Sequence, residues 1–212
     1  MLLLLCFGLL FVGVNAEAKE PMERQCLCKT EFQPCLVGWE PLAEDCGKKC
    51  SQHVTKMGGS FEKVRACVMA EKARFYKGVA CVHREFGKVC ADEPGAEVPR
   101  RFPETLELAA VREVTRQLTN AGLLSEATKM FSAPARKAIA CGKDCAKQTK
   151  CYKIKCSLKL PSDNDIIKTV IKCGQEVGVD EPVAKKFCGC LVDAGIEQLK
   201  PFCPKIVFTP EP

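Results

Sequence analysis

The chain has 212 residues, with 32 Lys and Arg against 26 Asp and Glu and a formal net charge of +6. Charges of both signs are mixed, and no basic stripe or recognisable binding module accompanies the small excess, so the composition argues against a nucleic-acid-binding protein. The 17 cysteines, together with only one Trp, two Tyr and 11 Phe, indicate a fold stabilised by disulfide bonds rather than by a large core.

The first element is an apolar stretch over residues 2–14, which contains no charged residue. Secretory signal peptides have an apolar region of this kind followed by small residues at the cleavage site, and Ala16 and Ala18 both suit that role. A membrane-spanning helix needs about 20 apolar residues, more than this stretch offers. We therefore predict a signal peptide over residues 1–16, cleaved after residue 16 or 18, and a secreted, extracellular chain without a transmembrane segment.

The cysteine count agrees with secretion. Cys6 lies in the predicted signal peptide, and the other 16 of the 17 cysteines form an even number suited to eight disulfides in an oxidising compartment. Cys46, Cys50 and His53 have the residue types of a zinc site, but this compartment favours disulfides, and we expect no metal and no cofactor. The cysteines predicted to form disulfides are Cys26, Cys28, Cys35, Cys46, Cys50, Cys67, Cys81, Cys90, Cys141, Cys145, Cys151, Cys156, Cys173, Cys188, Cys190 and Cys203.

These cysteines fall into two clusters separated by residues 91–140, which contain none. The spacing predicts a cysteine-rich helical module at residues 17–95, a linker with an amphipathic helix at 96–134, and a second cysteine-rich helical module at 135–212. We expect the disulfides to stay within each module. Spacing alone does not choose among the many pairings that eight cysteines allow.

A shift of 106 residues aligns three cysteines of the first cluster with three of the second: Cys35 with Cys141, Cys50 with Cys156, and Cys67 with Cys173. A repeat at a fixed offset is the signature of duplicated structure. We therefore predict that the modules are tandem related copies, so that the fold is all-α, with one short β segment near residues 152–160.

Helical periodicity dominates the first module. Over residues 41–57, Cys46, Cys50 and Val54 recur every four residues on one helix face, and Gly58-Gly59 follows as a stop. Ser60 suits the N-cap of a second helix, for which Gly78 is the predicted stop. The expected inner face of that helix carries Phe61, Val64, Cys67 and Val68, and a further helix carries Cys81 and Phe86.

The second module shows the same signals. Ser162 suits the N-cap of a helix whose inner face carries Ile166, Val170 and Cys173. Asp180 and Pro182 then suit the start of another helix. That helix is expected to carry Val183, Phe187, Cys188, Leu191 and Leu199.

The linker contains an amphipathic helix over residues 103–121, with Gly122 as its stop. Its apolar row is Leu106, Ala110, Val114 and Leu118, and its predicted wet side is Glu104, Glu107, Arg112, Glu113 and Arg116. We expect this helix to pack against the cysteine-rich modules. A role at a membrane surface is less favoured, because interfacial helices have mostly Lys and Arg on the polar face.

One charged segment exceeds the background. Residues 143–159 contain six lysines against the single acidic residue Asp144, and after Cys151 apolar and lysine positions alternate, which predicts a strand. Either this face binds an anionic partner, such as a glycan, an acidic protein or an anionic surface, or it is a solubilising edge. The candidate residues are Lys143, Lys147, Lys150, Lys153, Lys155 and Lys159.

The search for catalytic residues leads to His53 and His83. Cys50-Ser51-Gln52-His53 resembles the Cys-x-x-His of secreted phospholipases A2, which implies a hydrolase using His53. Val54 stands where that family has a calcium-binding aspartate, and no glycine-rich calcium loop precedes it. Because a histidine without an orienting partner is weak evidence for acid–base chemistry, we expect no catalytic residue and no enzyme.

Two further hypotheses remain. Cys46-x3-Cys50 and Cys81-x8-Cys90 are similar to spacings in insect odorant-binding proteins, a family of helical carriers of small apolar ligands, although here the intervening distances are shorter and the cysteines more numerous. The leading hypothesis is a secreted, non-enzymatic protein that binds an extracellular partner through disulfide-linked helices. The alternative is a carrier of lipid-like ligands in a helix-lined cavity.

Overall fold

A computed structural model describes residues 21–37, 39–130 and 132–208. The predicted signal peptide lies outside the described residues. These residues are mostly helical. The elements in chain order are β1 (Met22–Arg24), a π-helical turn (Cys28–Phe32), α1 (Gln33–Val37), α2 (Trp39–Lys56), α3 (Phe61–Ala70), α4 (Lys72–Phe86), β2 (Glu97–Pro99), α5 (Pro103–Asn120), α6 (Leu124–Met130), α7 (Ala133–Lys147), α8 (Lys150–Lys153), α9 (Asp163–Glu176), α10 (Glu181–Asp193), and two 3-10 helices (Glu197–Leu199 and Cys203–Lys205).

The sixteen cysteines among the described residues form eight disulfide bonds, but the prediction that these bonds stay within each module is wrong. Six of the eight join the first cluster to the second, because the helices of the two clusters pack against each other. Only Cys28–Cys90 and Cys188–Cys203 are local to one cluster. The other six bonds are Cys26–Cys156, Cys35–Cys151, Cys46–Cys145, Cys50–Cys141, Cys67–Cys190 and Cys81–Cys173. The tandem duplication and the module boundaries stay predictions.

Two antiparallel helix pairs form the frame. On α2, Cys46 and Cys50 lie one turn apart on the same face, and they bond to Cys145 and Cys141 of α7 in reverse order. The reversed order makes the two helices antiparallel. The second pair is α4 with α9, joined by Cys81–Cys173.

The helix pairs are connected through α3 and α10. Cys67 of α3 bonds to Cys190 of α10, and the amide of Ser60 donates to the carbonyl of Ala194 at 2.8 Å. Ten of the seventeen buried hydrophobic residues are cysteines, and Cys81 and Cys173 are the most deeply buried side chains. The interior is therefore largely disulfide, as expected of a chain poor in aromatic residues.

The predicted helix starts are confirmed by their caps. The hydroxyls of Ser60 and Ser162 accept from the amides of Lys63 and Asp165 at 3.5 and 3.2 Å, and the carboxylate of Asp180 accepts from the amide of Val183 at 2.9 Å.

Two predicted helix stops are wrong. The helix after Ser60 ends at Ala70, and α4 runs through Gly78 without a break. Leu199 does not extend the helix that Asp180 opens, because α10 ends at Asp193 and a separate 3-10 helix follows Gly195.

The predicted strand at residues 152–160 is also wrong. Tyr152 belongs to α8, whose N-cap is Thr149, and only Ser157 makes an isolated bridge, to Gln25. The antiparallel strand pair of the described residues is instead β1–β2, in which Glu23 faces Val98. β2 lies in the predicted linker, and its Val98 is buried.

The amphipathic helix α5 forms and ends before Gly122 as predicted, but its faces are partly exchanged. Val114 of the predicted apolar row is exposed, whereas the predicted wet residues Glu113 and Arg116 are half-buried and pair with each other at 2.7 Å. Helix α5 contacts both α9 and α6. Among the described residues, no helix is long and apolar enough to cross a membrane.

Candidate functional site

An apolar cavity, which we call cavity 1, has a volume of about 660 Å³ and lies between α4, α9 and α10. The disulfide partner Cys173 forms part of its wall, and each of the three helices contributes at least one valine to the rest. Phe75 and Val170 line the cavity and are 49% and 48% exposed, so they mark its opening. Its apolar lining residues are Phe75, Val79, Val82, Val170, Val177, Val179, Val183, Ala184 and Phe187.

Cavity 2 has a volume of about 600 Å³ and lies between α2, α3 and α7. Cys46 and Cys50 form one wall, and Val68 and Met69 of α3, which are 53% and 39% exposed, lie at the opening. Both volumes fall in the range of about 300–1,000 Å³ that is usual for small-molecule sites. Each cavity thus lies between a disulfide-linked helix pair and a third helix.

Glycines occupy matching places in the two cavities. The described α-helices contain five glycines, and four of them line a cavity: Gly78 and Gly174 in cavity 1, and Gly47 and Gly142 in cavity 2. Each cavity therefore has one glycine from each helix of its disulfide-linked pair. Glycine inside a helix destabilises it by about 0.5–1 kcal/mol relative to alanine, so these positions need a physical reason.

Close packing does not supply that reason. A Cβ atom at Gly142 would have nothing within 4 Å, and Cβ atoms at Gly78 and Gly174 would make ordinary contacts at 3.9 and 3.8 Å. Only at Gly47, 3.4 Å from the ring of Phe61, would the fit be tighter. At three of the four positions, what the glycine provides is open space in the cavity.

The charged residues that line the cavities are already paired. In cavity 1 the guanidinium of Arg74 donates to Glu71 at 2.7 Å and to the carbonyls of Val177 and Gly178 at 3.0 and 2.7 Å. The carbonyls at this end of α9 are thereby satisfied. Arg74 therefore stabilises the junction of α4 and α9.

In cavity 2, Glu40 accepts from Lys72 and Tyr76, and these hydrogen bonds, that of Lys72 foremost, hold the pKa of Glu40 below its ordinary value. The pKa of Glu44 is lowered by its hydrogen bond from Lys48 and by the positive charge of Arg65. Neither rim presents an unpaired carboxylate or guanidinium among the residues that the structure describes.

The two histidines lie apart. His53 is half-buried on α2, and its buried Nδ1 has no hydrogen-bond partner among the described residues. His83 is exposed, stacks on Phe32 with ring centroids 5.8 Å apart, and lines cavity 1. Among the residues that the structure describes, no carboxylate or other acceptor or donor orients the Nδ1 of His53 through a hydrogen bond.

The six candidate lysines are all exposed, on α7, α8 and the extended segment that follows. Lys143 pairs with Glu107 of α5 at 2.6 Å. The expected lysine-bearing face of a strand is absent from the described segment, and Ser157, a member of that face, is instead buried and donates to Glu23 at 2.7 Å.

One cluster of potential metal ligands contains Cys81, Glu85 and Glu176, whose ligand atoms lie within 4.8 Å of one another. The sulfur of Cys81 is bonded to Cys173, and the carboxylates pair with Lys172 and Arg84 at 2.7 and 2.8 Å. Cys46 and Cys50, the cysteines of the zinc alternative, are likewise in disulfides. These groups are therefore structural.

No protein-family model matches the chain, and no similar curated protein or solved structure was found. The two cavities and the exposed charged residues are therefore the features that bear on the function of this protein. Sequence reasoning did not locate either cavity, although the mid-helix glycines are a signal for both.

Proposed function

We propose that this protein is a secreted, non-enzymatic binding protein that carries small apolar ligands in cavity 1 and cavity 2. The observation that carries the proposal is the pair of apolar cavities, each lined by a glycine from both helices of a disulfide-linked pair. The eight disulfides are consistent with an extracellular, oxidising compartment.

The energetics favour such a ligand. Burial of apolar surface contributes about 25 cal/mol per Å², and exposed Phe75 and Val68 at the two openings add their own surface to that burial. The disulfides in the cavity walls fix the spacing of the paired helices in the absence of a ligand. A preformed site loses less conformational entropy on binding, which strengthens the complex.

The ligand is expected to be uncharged. Arg74, Glu40 and Glu44, which line the cavities, are satisfied by protein partners, so an ionised head group would have to displace an existing ion pair. Dodecanol should therefore bind more tightly than dodecanoate at neutral pH, because burying an unpaired charge is unfavourable.

The other hypotheses have less support. A macromolecular partner would bind to the outer surface and would not need a cavity, so this hypothesis does not explain why four glycines line the cavities. A hydrolase would need His53 to be oriented, and its Nδ1 has no described partner. If esterase or phospholipase activity were found and His53→Ala removed it, the non-enzymatic proposal would be abandoned.

Two measurements test the carrier proposal. Organic extraction of protein purified from secreting cells, followed by mass spectrometry, should yield a stoichiometric apolar compound. Titration of delipidated protein with the uncharged fluorophore N-phenyl-1-naphthylamine should give saturable binding of up to two molecules per chain. Absence of both a bound compound and saturable binding would overturn the proposal.

Cavity-filling variants give the sharper test. Gly78→Leu should remove binding in cavity 1 and Gly142→Leu should remove it in cavity 2, since a Cβ at Gly78 meets only Val177, at 3.9 Å, and a Cβ at Gly142 meets nothing within 4 Å. Gly189→Leu in α10 is the matched control, because Gly189 is also helical, has nothing within 4 Å of a Cβ, and lines neither cavity. Equal binding by all three variants and the parent would show that the fluorophore binds elsewhere.

A further inference from the structure

Apart from the cavities, the protein has a lysine-rich surface, which begins in the last turn of α7 and continues through α8 and the extended segment after it. We define the lysine array as Lys147, Lys150, Lys153, Lys155 and Lys159, all of them exposed. Lys143 is left out because Glu107 neutralises it. None of the five array ammonium groups has a carboxylate within 4 Å among the described residues. The acidic contacts that the segment makes, Ser157 to Glu23 at 2.7 Å and Tyr152 to Glu104 at 3.4 Å, involve hydroxyl groups and not the array lysines.

The segment that carries the array and the end of α7 before it are densely cross-linked. Four of the eight disulfides have a cysteine between residues 141 and 156, and they attach this region to α2, to α1 and to the stretch after β1. Yet Ser157 is the one buried residue described between 141 and 160. The cross-links therefore fix the position of a polar surface segment rather than of a core segment.

Fixed charges suit a particular kind of ligand. If the lysines only kept the protein soluble, they would not need fixed positions, because lysines on a mobile segment increase solubility to the same extent. By contrast, binding to a polymer with regularly spaced anionic groups gains from charges whose positions are fixed in advance, because less side-chain and backbone entropy is lost. Lysine-rich runs of this kind are typical of heparin-binding patches.

The exposed residues between the lysines favour a polar polymer over a membrane. Surfaces that lie on membranes combine Lys and Arg with Trp, Phe or Leu, which enter the lipid. Here the other exposed residues of segment 143–159 are Asp144, Gln148, Cys151 and Tyr152. Tyr152 is the single large apolar side chain in that set, and its hydroxyl is bonded to Glu104.

We infer that the lysine array is a binding site for a linear sulfated glycan. The site is separate from the cavities and does not depend on the carrier function. Binding would retain the protein at cell surfaces or in the extracellular matrix, where such polymers occur. The contact is electrostatic, so it weakens with salt as each neutralised sulfate releases its counterions.

The test uses a size-defined heparin oligosaccharide and two matched variants. Lys153→Gln/Lys155→Gln removes two array charges, and Lys56→Gln/Lys63→Gln removes two exposed charges of α2 and α3. The array variant should bind about tenfold or more weakly, and the slope of log Kd against log salt should fall by about two, one for each lost contact. The control variant should retain the slope of the parent.

Three outcomes decide the matter. Support requires that the parent elutes from heparin at higher salt than from a sulfopropyl matrix and that only the array variant loses this difference. Equal losses in both variants would show an effect of net charge alone and would overturn the site. Sedimentation with phosphatidylserine vesicles without a preference for heparin would also overturn it, in favour of a membrane surface. A far-ultraviolet circular dichroism spectrum and a thermal unfolding midpoint equal to those of the parent show that the array variant is folded.

Discussion

The two antiparallel helix pairs reach similar geometry by different means. The α2–α7 pair has two disulfides one helical turn apart, Cys46–Cys145 and Cys50–Cys141. The α4–α9 pair has the single disulfide Cys81–Cys173, supplemented by the ion pairs Arg84–Glu176 at 2.8 Å and Lys172–Glu85 at 2.7 Å. Each pair forms two walls of one cavity.

The different number of disulfides in the two helix pairs should affect the free energy of unfolding and the relative orientation of the helices in different ways. A disulfide stabilises mainly by restricting the unfolded chain, and a second bond four residues from the first restricts little more of it. Two bonds do, however, fix the register of both helices. The α2–α7 pair should therefore be held rigidly by partly redundant bonds, whereas the α4–α9 pair should depend heavily on one.

The largest expected effect is the loss of that one bond. Cys81→Ala/Cys173→Ala should lower the free energy of unfolding by about 3 kcal/mol, since the bond spans 92 residues and its sulfurs are the most deeply buried in the protein. Guanidinium chloride unfolding under non-reducing conditions measures it. A loss no greater than that for the α2–α7 bonds would contradict the comparison.

The next effect concerns the junction between the helix pairs. Gly195 has a φ of +100°, and a Cβ there would lie 2.5 Å from the carbonyl oxygen of Gly58. Gly195→Ala should therefore destabilise the protein by about 2 kcal/mol in the same unfolding experiment. Gly189→Ala, at an open helical position, is the control and should be neutral or stabilising. Equal values for the two variants would show that the turns do not pack closely.

A smaller effect is expected in the doubly linked pair. Cys46→Ala/Cys145→Ala should lower the free energy of unfolding by about 1 kcal/mol, because Cys50–Cys141 still closes nearly the same loop. Removing both bonds together should lower it by much more than twice that amount. Additive losses would show that the two bonds are not redundant.

The positions of the helices in the sequence could be predicted better than which helices pack against each other. Ser60, Ser162 and Asp180 are local signals, since a side-chain oxygen meets an amide three residues later, and their helices begin where predicted. The prediction that Gly78 ends a helix was wrong because a glycine inside a helix and a glycine that ends one cannot be distinguished in the sequence. That Gly78 lines cavity 1 could be seen only once α9 was in place.

The disulfide pairing could not be predicted, although one signal was present. Cys46 and Cys50, and likewise Cys141 and Cys145, are four residues apart, the spacing that two facing helices need for two bonds. Sequence separation favoured local bonds instead, because long-range packing of helices leaves no local trace. The strand prediction failed for a similar reason, since Thr149 caps α8 and the buried hydroxyl of Ser157 bonds to Glu23.

The duplication remains a prediction, and it offers an account of the crossed bonds. Shifted by 106 residues, α3 overlaps α9 and α4 overlaps α10. An exchange of the two copies would then interchange the α3–α10 and α4–α9 contacts. The disulfides do not interchange residue for residue, because Cys81 shifts next to Cys188, which bonds to Cys203, whereas Cys67 bonds to Cys190. Copies that pair with each other in this way have no reason to keep their bonds internal.

The smallest expected effect is the response of the α4–α9 pair to acid. The hydrogen bond from Lys172, followed by its charge, lowers the pKa of Glu85. A carboxyl group whose pKa is lower in the folded state contributes stability above its ordinary pKa, and this contribution is lost as the pH falls below that value. The parent protein should therefore lose protection of its α9 amides against hydrogen exchange, corrected for intrinsic rates, between neutral pH and about pH 3.

The control separates this ion pair from general acid effects. In Lys172→Gln the pKa of Glu85 should return toward its ordinary value, so the acid-dependent loss of protection in α9 should be smaller than in the parent. The amides of α7, held by two disulfides, should show the same protection in both proteins. Because Lys172 is exposed, high salt should make parent and variant alike. An unchanged acid response in Lys172→Gln would contradict the prediction, because it would mean that carboxyl groups other than Glu85 cause the acid sensitivity of α9.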